Sequence, residues 1–322
     1  MERHVLALKT LGHPERLRIL ALLSRGELTV SELVQILQLS QPRVTQYIIS
    51  LESAGVIERL KEGSWVFSRI QRGNAAISAL VATTLATLPQ NDAILRSDAA
   101  RLDEVRAERS KAAEAFFANV ANDRSQLGDE YLPQADIESK MRELLGEGPF
   151  DYMVDLGTGT GRMLELFSDR IKRGSGIDNN AQMLKVARHK LAALNLSHIT
   201  VRQGDLLAAP LESDVAEVVS LHQVLHYLDE PQEAIIEAAR LLRPVGTLII
   251  VDYESHDLED FRTLYNHRRL GFSDTDINEG LSSAGLTLTA AETIPTGANV
   301  PDVKIWLGVK PAATPEKKLN HA

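Results

Sequence analysis

The run Val154-Asp155-Leu156-Gly157-Thr158-Gly159-Thr160-Gly161 constrains this chain more than any other stretch. An apolar strand pattern leads into it and a helical pattern opens at Arg162, the setting in which glycines let backbone amides approach a ligand. The spacing is G-x-G-x-G. A dinucleotide fingerprint wants Gly or Ala at position 162, where Arg162 stands, and this argues against NAD(P). Asp178 ends the next strand 21 residues after Gly157, where a carboxylate can accept both hydroxyls of a ribose, and a third strand ends in Gly204-Asp205-Leu206. A glycine loop alone is a weak signal, and a merely structural turn stays open at this point.

Around the loop, strands alternate with helices. YMVDL, a helix from Arg162, GSGID, a helix from Ala181 to Leu194, ITVRQ, EVVSL, a helix around 232–242 and TLIIVDY follow in order. That alternation implies right-handed crossovers and a parallel doubly wound α/β sheet. Two last strands, near 286–294 and 303–309, have no helix between them and should pair antiparallel at an edge.

The first part of the chain has a different texture, and 322 residues exceed one ordinary core. A helix through Leu17–Leu23 stops at Ser24-Arg25-Gly26, and a second opens at Val30 and closes near Leu39. Ser40 should cap a third, Gln41 to Ala54, with Val44, Ile48 and Leu51 on its inner stripe. VIERL, a turn Lys61-Glu62-Gly63-Ser64 and WVFSRI then read as a hairpin. Helix, helix, helix, hairpin is the order of an α+β winged helix-turn-helix. Charge follows the same division. Residues 1–72 carry ten Lys/Arg against seven Asp/Glu, about +3, within a chain of net charge −9, so an anionic partner is expected for this segment alone.

Residues 75–88 form an almost uncharged helix that suggests a dimer seam, and a charged helix with an apolar stripe from Leu102 to Val120 should bridge to the α/β part. The expected domains are 1–88, winged helix-turn-helix with dimerisation helix; 89–148, helical linker or lid; 149–311, ligand-binding α/β domain; and 312–322, disordered tail. There is no cysteine, which excludes disulfides and thiolate metal sites. With no signal-peptide block and no membrane-length apolar run, a cytoplasmic protein without membrane contact is expected.

Residues 5–70, with LKTLGHPERLRILALL and GELTVSELVQILQLSQPRVTQYIISLESAGVIERLKEGSWVFSRI, resemble the ArsR-type winged-helix repressors. An exposed face with Gln41, Arg43, Thr45 and Gln46 suits the major groove of double-stranded DNA, where Arg reads guanine and Gln reads adenine, and Arg59 and Lys61 can touch phosphate. Thiol-using relatives place cysteines in an ELCVCDL-like run, where this chain has Glu27-Leu28-Thr29-Val30-Ser31-Glu32-Leu33. Arsenite sensing there is excluded. The other familiar metal site uses Asp and His on the dimer helix, and 75–88 contains neither.

From about Phe116 to Lys310 the chain resembles the class I S-adenosylmethionine (AdoMet)-dependent methyltransferases, notably the ubiquinone/menaquinone-biosynthesis group, with HYLDEP and LLRPVG as further matching runs. The resemblance implies a Rossmann-like seven-stranded sheet with an antiparallel last strand. It implies Asp155, Gly157, Gly159 and Gly161 around the methionine part, Asp178 with Asn179 at the ribose, Asp205 with Leu206 at the adenine, and His222 after the fourth strand. Such enzymes often carry a Trp-Asp pair after the Phe116-Phe117 region; Arg124-Ser125 stands there instead.

Methyl transfer to a good nucleophile needs alignment and sometimes a base, so no fixed triad is expected. His222, His226 and Tyr253 are the catalytic candidates, with His256 and the His267-Arg268-Arg269 run nearby; for each, a satisfied core His or Tyr, or an Arg pair on a solvated face, is an equal reading. His222 and His226 are four apart, yet no third ligand is identifiable, so no metal is expected. DNA methylation ranks low, because Leu221-His222-Gln223-Val224 is not the Asn/Asp-Pro-Pro-aromatic run of amino-methylating enzymes and no Cys nucleophile exists. Two functions remain: a homodimeric regulator whose DNA affinity responds to AdoMet or S-adenosylhomocysteine, or an active methyltransferase on a small-molecule acceptor.

Overall fold

The structure, a computed structural model, describes residues 2–62, 65–71, 74–89, 91–120, 132–297 and 300–312. The turn positions Gly63-Ser64, the Arg124-Ser125 pair and the tail from 313 onward lie outside them. The chain divides into two units, Met1–Ala113 and Glu114–Ala322. Among the described residues no helix is long and apolar enough to cross a membrane.

The first unit begins with α1 (Glu2–Leu11), α2 (Pro14–Leu23), β1 (Leu28–Thr29), α3 (Val30–Leu37) and α4 (Gln41–Ser53). The hairpin β2 (Ile57–Glu62) and β3 (Trp65–Ile70) follows, then α5 (Ala75–Ala86) and the start of α6 (Ala93–Val120). α3 opens on a capping box, in which the Thr29 hydroxyl accepts from the Glu32 amide and the Glu32 carboxylate accepts from the Thr29 amide. Gln38, at φ 56, ends it and turns the chain toward α4. Ser40 holds the N-cap position of α4 but makes no side-chain hydrogen bond, correcting the expected cap; Pro42 in the first turn, with its preset φ, favours the start instead. Val44, Ile48 and Leu51 are fully buried, each worth roughly 1.5–3 kcal/mol. β1 pairs antiparallel with β3, so the wing has three strands in the order β1-β3-β2.

α5 sends Ile77 and Val81 into this unit's own core and turns mostly Ala and Thr outward. The large apolar side chains left exposed here include Val5, Leu6 and Leu8 on α1 and Ile94 on α6. Leu102 and Val105 of α6 join the same core. Beside them, Asp98, 1% exposed, takes Arg18 through both oxygens, at 2.6 and 2.8 Å, and Arg101 at 2.6 Å. The same two guanidinium groups donate to the carbonyls of Leu37 and Ile36, which end α3.

In the second unit, α7 (Gln134–Leu145) precedes β4 (Met153–Leu156), α8 (Arg162–Leu166), β5 (Gly174–Asp178), α9 (Ala181–Ala193) and β6 (Ile199–Gln203). Then come β7 (Ala216–His222), α10 (Pro231–Leu241), β8 (Leu242–Tyr253), α11 (Asp260–Leu264), α12 (Asp274–Ser283), β9 (Thr287–Ile294) and β10 (Val303–Val309). The seven strands lie in the order β6-β5-β4-β7-β8-β10-β9. β10 is antiparallel to both neighbours and sits between β8 and β9, so of the last two strands only β9 lies at an edge. Alternation along each strand feeds two cores. Met153, Ile249 and Val251 face the side covered by α7, α8 and α9; Val154, Leu248 and Ile250 face α10 and α12.

Candidate functional site

The carboxyl ends of β4, β5, β6 and β7 converge on the glycine loop, the place where open α/β sheets bind ligands. The loop amides are largely committed to the fold. Gly157 and Thr158 donate to the Ile177 carbonyl at 2.8 and 3.0 Å, and Gly161 donates to the Thr158 carbonyl at 2.8 Å. The Gly159 amide donates to Asp178 Oδ2 at 2.8 Å, while Asp178 Oδ1 accepts from the Asn180 amide at 2.8 Å. The expectation that loop amides point at a ligand therefore gives way to a loop stapled to β5. What it presents outward is space: a Cβ at Gly159, φ +50, would meet nothing within 4 Å. At Gly157, φ +73, a Cβ would instead fall 2.5 Å from Val224 Cγ2, so the connection after β7 packs directly on this glycine.

Asp155 faces inward, 2% exposed, and accepts from the Ser220 hydroxyl at 2.6 Å across the β4–β7 pair. Burial pushes its carboxyl up to about 6, opposed by hydrogen bonds from Ser220 and Thr158. Asp178 is also raised, chiefly by burial, with the Asn180 and Gly159 amides pulling the other way. Asn179 is exposed, and its carbonyl accepts from Gln203 Nε2 at 3.0 Å. Asp205 is exposed and accepts from the Leu207 amide at 2.9 Å, while the Leu206 side chain approaches the Gly157 position. His222, half-buried, ends β7 opposite Val251. Residues from the strand-end motifs thus gather at one edge, with Asp155 beneath them.

The later candidates assemble beside this edge. His226 lies in a short 3-10 turn, Leu225–Tyr227, rather than one helical turn beyond His222. It is 1% exposed, with Nδ1 2.7 Å from Asp252 Oδ1. Tyr253, 1% exposed, packs against the rings of His226, His256, His267 and Phe261. Arg268 and Arg269 are buried, not solvated: their amides donate to the His226 carbonyl at 2.8 and 2.9 Å, and the Arg268 guanidinium pairs with Asp229. Sequence reasoning missed Asp252. Its one signal was an acid closing an otherwise apolar strand, LIIVDY. Among the described residues no His, Cys, Asp and Glu group is arranged to hold a metal.

In the first unit, Gln41, Arg43 and Gln46 are exposed on α4 and Thr45 is half-buried. Gln41, Pro42, Thr45, Gln46 and Ile49 line one shallow surface on its outer face. Arg59 and Lys61 are exposed two apart on β2, Arg59 lying 3.5 Å from Glu52.

Comparison with known proteins follows the same division. Residues 13–59 match the bacterial regulatory protein, arsR family, and residues 154–250 match a methyltransferase domain family. The chain joins an ArsR-family helix-turn-helix to a class I S-adenosylmethionine-dependent methyltransferase domain. The methyltransferase part is similar to the ubiquinone/menaquinone biosynthesis C-methyltransferase UbiE of Pectobacterium carotovorum, at 27% identity over 118 residues, 35% of this chain and 47% of that one. A 37.1 kDa protein from a Streptomyces fradiae transposon is 30% identical over 174 residues, 49% of this chain and 48% of that one. The chain therefore spans about half the length of these two relatives. A Haloferax volcanii methyltransferase solved with a methyltransferase activator shares the methyltransferase fold at TM-score 0.51 and 23% identity, covering 61% of this chain and 97% of that one.

Proposed function

We propose that the protein is a DNA-binding transcriptional regulator whose methyltransferase domain binds AdoMet or S-adenosylhomocysteine, and that this binding shifts its affinity for DNA. The observation that carries the reading is the Gly159–Asp178 arrangement in a chain that also holds an ArsR-family recognition helix. Each Asp178 oxygen accepts one amide, which leaves lone pairs for two ribose hydroxyls, and the open space over Gly159 accommodates the methionine end. Asp205 and Leu206 stand where an adenine would lie, with Asn179 beside the ribose and Asp155 and His222 bordering the methionine end. AdoMet supplies the activated methyl group when bound.

On the DNA side, Gln41, Arg43, Thr45 and Gln46 would read base edges, and Arg59 and Lys61 would hold phosphates. A homodimer fits two DNA half-sites, and the exposed Val5, Leu6 and Leu8 of α1 offer apolar surface for pairing. A ligand moves a DNA equilibrium only by binding the two forms with different affinity. The test is affinity of the full chain for promoter DNA of its own gene, measured without ligand and with saturating AdoMet or S-adenosylhomocysteine. A change of at least about fivefold between these states is expected; equal affinities would end the sensing account.

A second reading, turnover of a small-molecule acceptor, is favoured by the buried Asp252–His226 pair beside the same strand ends.

A further inference from the structure

The sides of α4 have different tasks. Val44, Ile48 and Leu51, each 0% exposed, hold it to the core. Arg43, Tyr47 and Ser50 lie toward the start of α2: the Tyr47 hydroxyl accepts from Arg43 Nη2 at 3.3 Å, the Tyr47 ring stands 5.1 Å from that of His13, and Ser50 Oγ accepts from Arg16 Nη1 at 2.8 Å. The outer side carries Gln41, Pro42, Thr45, Gln46 and Ile49, which line one shallow surface. None of these five side chains is charged. Ile49 is 49% exposed there. Lone exposed apolar residues are ordinary, but a β-branched side chain is a poor choice for an exposed helix position, so neither packing nor helix formation accounts for it.

The surroundings favour a nucleic acid over an apolar partner. β2 runs beside α4, with Arg59 3.5 Å from Glu52, and presents Arg59 and Lys61 exposed. Residues 1–72 hold an excess of cations in an otherwise acidic chain. A face of glutamines and one isoleucine beside cations matches a major groove, where adenine offers a donor and an acceptor to an amide and thymine offers the apolar 5-methyl group. Gln41, Thr45 and Ile49 follow one another at intervals of four, and Gln46 precedes Ile49 by three, so all lie on one face. From Gln41 to Ile49 this face runs about 12 Å along the helix axis, the length of about three to four base steps. Glu52, exposed one turn further on, presents a carboxylate that phosphates repel, so the face ends at Ile49.

We propose that Ile49 packs against the 5-methyl group of a thymine and is a specificity-determining residue of this protein, with Gln46 at the adjoining base pair; the inference rests on the DNA-binding reading above. The contact takes apolar surface of both groups out of water. A cytosine at the same place lacks the methyl and turns its N4 amino donor toward a side chain that cannot accept, so the isoleucine selects thymine by attraction and rejects cytosine by an unmade hydrogen bond.

The test begins with the full chain selecting binding sites from a pool of random duplexes. If no sequence is enriched, the DNA-binding reading and this inference fall together. With an enriched site in hand, uracil replaces each thymine in turn, which removes the methyl and keeps every hydrogen-bonding group. At one position of the site, or of each half-site, the wild type should lose about three- to fivefold in affinity, the worth of one buried methyl group. Ile49→Ala should bind the thymine duplex more weakly by the same factor and show no further loss when that position becomes uracil. Equal uracil losses in both proteins, or no position with a loss, overturn the Ile49 assignment and leave the DNA-binding reading standing. A variant that changes its oligomeric state in sedimentation while keeping the wild-type uracil loss also overturns it, and gives the face to a contact between copies. If Ile49→Ala fails to fold, methyl NMR of the wild-type chain on the selected duplex decides: a cross-peak between the Ile49 Cδ1 methyl and a thymine methyl supports the assignment, and its absence overturns it.

Discussion

Two buried polar centres in this molecule are built on opposite principles. In the helix-turn-helix unit, Asp98 is closed off by two guanidinium groups whose remaining donors reach the last carbonyls of α3. In the methyltransferase unit, His226, His256 and His267 sit in a cluster where four ring nitrogens have no hydrogen-bond partner among the described residues. The first arrangement joins α6 to α2 and to the end of α3 through one buried carboxylate. The second leaves buried polar atoms without hydrogen bonds, at a cost in stability.

The comparison is broken most severely by Asp98→Ala, which leaves the half-buried Arg18 and Arg101 without their shared carboxylate. It should cost about 3–5 kcal/mol, seen in urea unfolding of the helix-turn-helix unit by circular dichroism. A smaller effect comes from pH. The Asp155 carboxyl, raised by burial to about 6, binds its proton more tightly when folded, so its contribution is complete below about 4 and lost as pH rises to about 6. The loss is at most about 3 kcal/mol. His256, lowered to about 4, acts in the opposite sense: its contribution is present above about 6.5 and lost as pH falls toward 4. The two partly cancel. Thermal unfolding of wild type against Asp155→Asn from pH 4 to 7 should isolate the first, with the variant losing less stability as pH rises. The smallest effect sharpens the contrast. His267→Phe replaces a ring whose nitrogens make no hydrogen bond, and should change stability by less than about 1 kcal/mol or raise it, in the same unfolding measurement.

What could be read in advance follows from range along the chain. The α4 stripe of Val44, Ile48 and Leu51 is a local period, and the alternation of strands and helices around Gly157 is a local texture, so both were legible in the sequence. That Asp178, Asp205 and His222 stand at or just after the carboxyl ends of β5, β6 and β7 also followed from the alternation. The Asp252–His226 pair was not legible, because it joins residues 26 apart through the adjacency of β7 and β8. The burial of Arg268 and Arg269 was missed for a similar reason: a polar run reads as solvated until the turn carrying His226 is seen lying against it. β1 was hidden by its length, two residues that pair only because β3 passes beside them.

The interior position of β10 sets an order of events during synthesis. β9 has no sheet neighbour other than β10, and β8 keeps an open side until the same strand arrives, so this half of the sheet cannot close before Val309 has left the ribosome. The helix-turn-helix core is complete once Val105 has emerged. A growing chain therefore carries a finished ArsR-type fold for some 200 residues of translation before the sheet of its methyltransferase half can close.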